Sequence, residues 1–170
     1  MLTIYAGVVV PGFQLASGQA VGRQKDPSMF PAGTLEMQHP WLKARGIDLQ
    51  ALVPGLFWGT VNVKTGRKLR LVRPDHTIAD LDWTIGVEGP GRIAPETFSW
   101  IRCCLACPSA EESNAVGYYP GLIYYPHPET KPCPDAHDFH VLEVLTSKVA
   151  NLAYDMPASV ICRSDAFEAF

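Results

Sequence analysis

Residues 54–64 read Pro-Gly-Leu-Phe-Trp-Gly-Thr-Val-Asn-Val-Lys, a turn that opens onto a short alternating run. Side chains along a strand point to opposite faces in turn, so Val61 and Val63 share one side while Thr60, Asn62 and Lys64 share the other. The valines suit a core. Thr60 and Asn62 then stand roughly 7 Å apart along the strand, near enough for their oxygens to lean toward one small hard cation. Neutral oxygen donors of this kind suit Mg²⁺, which keeps several waters and takes the rest of its shell from a phosphorylated ligand. Lys64, one step further, is placed for a phosphate. A hairpin strand with a solvated polar face has the same spacing, and spacing by itself leaves both readings open.

Other residue types capable of chemistry fall into three groups. Lys64, Arg67, Lys68, Arg70 and Arg73 put five of the fourteen basic residues within ten positions, either as a phosphate clamp beside Thr60 and Asn62 or as the solvated face of a hairpin. His127, Cys133, His137 and His140, with Asp135 among them, are the densest set of metal-ligand types, and Cys104-x-x-Cys107 adds a thiol pair. Zinc needs four ligands converging tetrahedrally. The two cysteines have opposite strand parity and the spacing matches no pair of zinc knuckles, so zinc is not the expected cofactor. Phe57, Trp58, Tyr118, Tyr119, Tyr124 and Tyr125 offer either a stacking wall for a planar ligand or ordinary core packing. Neither a nucleophile elbow, a phosphate-binding Walker loop nor a dinucleotide glycine fingerprint is present.

These residues need elements to carry them. The β-branched run Leu2 to Val10, stopped by Pro11-Gly12, predicts a first strand. Thr34 to Gln38 reads as a short strand, and His39-Pro40-Trp41 as the opening of a helix with Pro40 in its first turn and Gly46 past its end. Thr60 to Lys64 and Lys68 to Arg73 read as a hairpin joined through Thr65-Gly66. Strands are expected at Leu81 to Val87, Phe98 to Cys107, Gly121 to Tyr125, Phe139 to Leu145 and Ser159 to Arg163. Ser147 is a plausible cap for a helix from Lys148 to Tyr154. The thirteen-residue loop from Pro126 to Asp138 is long enough to expect a function.

Set in order, several segments resemble the archaeal CTP-dependent riboflavin kinases. Pro54-Gly55 followed by Gly59-Thr60-x-Asn62-Val63-Lys64 is similar to that family's signature strand. Tyr5-Ala6-Gly7-Val8-Val9-Val10-Pro11-Gly12, with the loop Ala16-Ser17-Gly18, resembles its opening strand. Trp41-Leu42-Lys43-Ala44-Arg45-Gly46 resembles its short helix, and Gly121 to Pro126, Thr130, Val141 to Leu145 and Lys148 resemble its C-terminal half. The resemblance implies a mainly β fold: a small closed six-stranded cradle-loop barrel with extra strands and two short helices. It further implies Thr60 and Asn62 on Mg²⁺, and Gly12, Ser17, Gly18, Lys64 and Lys148 around a CTP-like nucleotide. Thr130 and Glu143 would lie against a flavin, and the activity would be phosphoryl transfer to riboflavin.

Two alternatives stay open beside that activity. The loop Phe13 to Gln19 is longer than the family's and lacks its glutamate, and Lys148-Val149-Ala150-Asn151 stands where the family has Lys-Leu-Arg-Glu; both favour a non-catalytic ligand-binding barrel without a nucleotide site. An enzyme of different chemistry, using Glu36, Glu143 and the histidine loop in the same cradle, is the other. Composition limits the rest. A chain of 170 residues with 47% hydrophobic content suits a single domain over 1–170. A net charge of -3 supplies no basic field for nucleic acid or an anionic membrane. No apolar run reaches the roughly 20 residues of a membrane span, no signal-peptide pattern is visible, and the five cysteines read as reduced thiols, so a cytoplasmic location is expected. Fifteen prolines and fourteen glycines point to short strands separated by turns.

Overall fold

The computed structural model describes residues 1–12, 33–84, 94–109, 115–131 and 137–170. Nine strands lie among them: β1 (Leu2–Val10), β2 (Val61–Thr65), β3 (Leu69–Leu71), β4 (His76–Leu81), β5 (Glu96–Pro108), β6 (Val116–Pro126), β7 (Val141–Thr146), β8 (Pro157–Arg163) and β9 (Phe167–Ala169). Two helices, α1 (Thr34–Ala44) and α2 (Leu49–Leu52), fall between β1 and β2. Six strands run antiparallel in the order β5-β6-β7-β2-β1-β8, and β8 pairs back onto β5, so the sheet closes into a barrel. β4 extends the first half of β5 beyond the ring, and β3 pairs with β9 as a separate ribbon.

Alternation along each strand divides the apolar residues between two cores. Val9, Val63, Ile101, Leu105, Ile123, Val144 and Val160 point inward and fill the barrel. Phe98, Trp100, Leu122, Tyr124 and Leu145, of the opposite parity, point outward and meet Leu35 and Leu42 of α1 and Leu49 of α2. The thirteen residues of β5 make this possible, because its first half carries the outer core while its second half, paired to β8, closes the barrel. Close approach also dictates sequence. A side chain at Gly7 would collide with the main-chain oxygen of Lys64 on β2, so only glycine fits where these strands meet.

Several local expectations give way. Thr34 to Gln38 is the start of α1 rather than a strand: Leu35, Gln38 and Leu42 are buried at helical spacing, and a period near 3.6 puts all three on α2 and the barrel wall. The helix therefore begins six residues before Pro40, which sits inside it on the exposed side. Gly46 does follow the end, at φ 91°. The hairpin between Thr60–Lys64 and Lys68–Arg73 does not form. Both edges of β2 are taken by β1 and β7, while the Thr65 hydroxyl bonds to Arg67 O and His140 O and turns the chain away toward β9.

The late helix is also absent. Residues 148–156 form turns, with Asn151 and Asp155 at φ 56° and 64°, a left-handed conformation that ends helical winding. Asp155 N donates to Val9 O at 2.8 Å and Val9 N to Met156 O at 2.9 Å, so this segment is tied to β1 and cannot coil on itself. The expected strand at Leu81 to Val87 ends at Leu81, and residues 85–93 lie outside the described set, as do residues 13–32. Among the described residues no helix is long and apolar enough to cross a membrane.

Candidate functional site

The turn before β2 is anchored to the end of β7. Phe57 N donates to Thr146 O at 3.0 Å, Leu56 bridges to Ser147, and Gly59 N donates to Phe57 O at 2.8 Å. That anchoring sets Thr60 beside Asn62, with Thr60 Oγ1 donating to Asn62 Oδ1 at 3.3 Å. Cross-strand register continues the line: Val10 stands opposite Asn62 on one side and Glu143 on the other, and Tyr124 stands opposite Glu143. The Glu143 carboxyl lies near enough to feel the Thr60 hydroxyl, which favours its charged form. The hydroxyl proton is thus held by Asn62, with a carboxyl nearby.

Thr60 and Asn62 line a cleft of about 260 Å³, together with Gly12, Phe57, Lys148 and Tyr154. Its walls are the end of β1, the turn into β2 and the 146–154 segment. Asn62 is almost fully buried because Gly12 lies directly over its amide, where any side chain would collide. Lys148 is solvent-exposed on the rim.

Behind the cleft the outer face turns polar under its helical cover. Burial pushes the Glu143 carboxyl above its ordinary value, opposed by the nearby Lys131 charge and the Thr60 hydroxyl. Glu96 is raised by the same cause, opposed by the Trp83 indole, whose Nε1 donates to Glu96 Oε2 at 2.8 Å, and by Lys131. Tyr124 is driven well above the usual phenol range by burial and by both carboxylates, while its hydroxyl donates to Gln38 Oε1 at 3.2 Å. Two acids, a phenol, a carboxamide and a lysine therefore interact across the outer face. Lys131, Glu96 and Gln38 carry no motif, and only the register of β5, β6 and β7 and the docking of α1 bring them to this face.

The remaining expected residues go elsewhere. Lys64 turns to Asp138, 3.8 Å away, with both side chains about half exposed, and it does not line the cleft. Arg73 pairs with Asp165 at 2.9 Å, Arg70 pairs with Glu168, and Lys68 lies over the Phe170 ring; the basic run is a surface face along β3 and β9. The Thr130 hydroxyl accepts from Thr97 N at 2.9 Å and donates to His127 O at 3.0 Å, closing the 3-10 turn Pro128–Thr130. Ser17, Gly18, Cys133 and Asp135 lie outside the described residues. Glu36 is exposed on the first turn of α1.

Among the described residues no three His, Cys, Asp or Glu converge as a metal site. Cys107 faces the barrel interior and Cys104 the outside, as their parity requires. Tyr124 stacks on Phe98 at 5.6 Å inside the outer core, so it is packed rather than open to a ligand. One arrangement invites a hydrolytic reading: Ser99 Oγ lies 2.8 Å from His127 Nε2, whose Nδ1 lies 2.9 Å from Glu129 Oε1. Ser99 is completely buried and its hydroxyl is also bonded to Thr77 at 2.7 Å. A nucleophile must reach its substrate, so this chain of bonds holds β4, β5 and the 127–130 turn together.

The oxygens of Thr60 and Asn62, with the Glu143 carboxyl behind them, are donors of the type Mg²⁺ accepts, and the fit rests on these three residues. In comparisons with protein-family models, curated proteins and solved structures, nothing matches this chain, so the likeness to the riboflavin kinases stands on the residues quoted for it and on no wider similarity.

Proposed function

We propose that the cleft binds a CTP-like nucleotide with Mg²⁺ and transfers a phosphoryl group to a small hydroxyl-bearing acceptor, riboflavin being the acceptor that the kinase resemblance implies. The observation that carries this reading is the meeting of Thr60 and Asn62 in one cleft with Gly12 and Lys148, with the Glu143 carboxyl near the Thr60 hydroxyl. An oxygen that donates its lone pairs to a cation must send its proton elsewhere, and the nearby Glu143 carboxyl is the acceptor that remains once Asn62 Oδ1 also turns to the cation. Lys148 at the rim supplies positive charge for phosphate. Mg²⁺, when bound, would neutralise the phosphate oxygens between which the charge develops.

Phosphoryl transfer asks a protein chiefly to position donor and acceptor, so a conventional nucleophile is not needed. The acceptor oxygen bonds to the terminal phosphorus, the bridging P–O bond breaks, the nucleoside diphosphate leaves, and the hydroxyl proton passes to phosphate or water. Calorimetric titration with CTP and ATP, with and without Mg²⁺, and chromatographic assay for FMN from riboflavin test the reading. Thr60→Val, which keeps shape and removes the oxygen, is expected to weaken Mg²⁺-dependent nucleotide binding more than about tenfold. No nucleotide binding by the wild-type protein in Mg²⁺ overturns it.

A second reading, a non-catalytic small-ligand barrel, is favoured by the turn of Lys64 toward Asp138, which leaves Lys148 as the one cation among the described residues lining the cleft. Ligand binding without FMN formation would select it.

A further inference from the structure

We infer that the outer face of β1, β8, β5 and β6 is the contact surface of a homodimer. On the helix-covered side of the barrel, outward residues are buried. On the opposite side they are mostly apolar, and all but Ala106 are exposed or half-buried. Register aligns them in rows: Ile4 opposite Ile161, Ile161 opposite Cys104, Cys104 opposite Pro120; then Ala6 opposite Ser159, Ser159 opposite Ala106, and Ala106 opposite Tyr118. Val8 and Pro157 continue the pattern toward Val116. No position in these rows carries a charge.

Exposure gives the face its weight. Leu2, Ile4, Val8, Val116 and Tyr118 keep 71%, 65%, 38%, 53% and 65% of their surface. Those five side chains alone leave roughly 500 Å² of apolar area, near the upper end of what a monomer shows in one patch. With Ala6, Pro120 and Pro157, also exposed, the face approaches the roughly 800 Å² per partner of a stable interface. Its rim is polar: Arg163 stands opposite Leu2 and pairs with Asp75 at 3.2 Å, and Lys64 stands opposite Val8 on the β2 side and pairs with Asp138. An apolar centre inside a charged border is the anatomy of a protein interface.

Charge selects the occupant. A partner recognised through its own acids or bases would find no counter-charge within these rows, and an anionic lipid surface would find basic residues only at the edge, where Arg163 and Lys64 are paired with acids. A second copy brings another uncharged apolar sheet, so neither side buries an unpaired charge. Sheet faces of this kind pack about 10 Å apart with side chains interleaved. The Val8 and Pro157 end adjoins the 152–156 segment that is bonded to β1 and forms part of the cleft wall, so the contact would brace the site from behind.

Sedimentation velocity across a dilution series up to about 100 µM is the test. The wild-type protein should sediment at twice the 18.6 kDa mass of the chain at the upper concentrations. Ile4→Arg and Tyr118→Asp, exposed positions on different strands, should each weaken association roughly 100-fold by burying an unpaired charge, with circular dichroism unchanged from wild type. A wild-type protein that stays monomeric overturns the inference. So does a dimer that neither substitution weakens, and so does a monomer that co-sediments with neutral phosphatidylcholine vesicles, which would assign the face to lipid.

Discussion

Inside the barrel, Val63, Leu105, Ile123, Val144 and Val160 pack against one another, and the polar groups among them, Thr65 and Thr146, spend their hydroxyls on main-chain oxygens. Outside, apolar residues of the same strands pack against α1 and α2, and this face admits Gln38 of α1, Glu96, Tyr124 and Glu143, with Asn62 at the cleft. Buried carboxyls that lack full partners weaken a fold. Their presence on one side of the wall alone separates a face built for stability from a face where stability is given up around a cleft, which is where functional groups concentrate.

The largest test of that contrast is Trp100→Ala. Trp100 is completely buried in the outer core, so its loss should cost about 4 kcal/mol in denaturant unfolding, as much as Leu105→Ala on the inner side or more. A cost under about 1 kcal/mol would mean that the helices form a loose cover rather than a second core.

Gly12→Ala comes next. The added methyl group would meet the Asn62 amide, and overpacking of that kind costs about 1 to 3 kcal/mol. Cleft and fold should suffer together, seen as a lower melting temperature and weaker nucleotide binding in one variant. A silent Gly12→Ala would show that the amide is not held where it stands.

Glu143→Gln should do the reverse. A raised folded-state pKa means that the native protein holds the proton more tightly than the unfolded chain, so stability is highest at low pH and falls as pH rises from about 4.5 through the raised value. At pH 7 the wild-type protein therefore carries a cost that the amide removes, and Glu143→Gln should gain about 1 kcal/mol. The gain should vanish on acidification. His137 works in the opposite direction: burial lowers it to about 4, so the fold loses stability as pH falls from 6.5 toward that value. The difference between wild type and variant, rather than either curve alone, isolates Glu143.

Lys64→Ala is the smallest. An exposed ion pair 3.8 Å long is worth under about 0.5 kcal/mol, and nucleotide affinity should be unchanged. A loss of binding beyond about tenfold would return Lys64 to the phosphate site and strengthen the kinase reading.

Alternation along single strands was readable residue by residue. Leu2–Val10 and the burial of Val63 beside an outward Thr60 and Asn62 follow from β-branched content and a period of two, and so does the split of Cys104 from Cys107. The β-rich class followed from many short strands between prolines and glycines, and the closed barrel from the family resemblance. Where two periods compete within a few residues, the sequence was ambiguous, and Thr34–Gln38 became helix because its Leu35 and Gln38 could be buried only on one helical face.

Partner choice was a different matter. Whether Lys68–Arg73 pairs with its neighbour or with Phe167–Ala169 depends on which strand edges are still free once the barrel has closed, and no local pattern records that. The same holds for the site. Thr60 and Asn62 announce themselves by spacing, whereas Glu96, Gln38 and Lys131 reach Glu143 only through the register of three strands and the docking of a helix. Local chemistry is set by neighbours along the chain, and the charge environment that shifts an acid is set by neighbours across it.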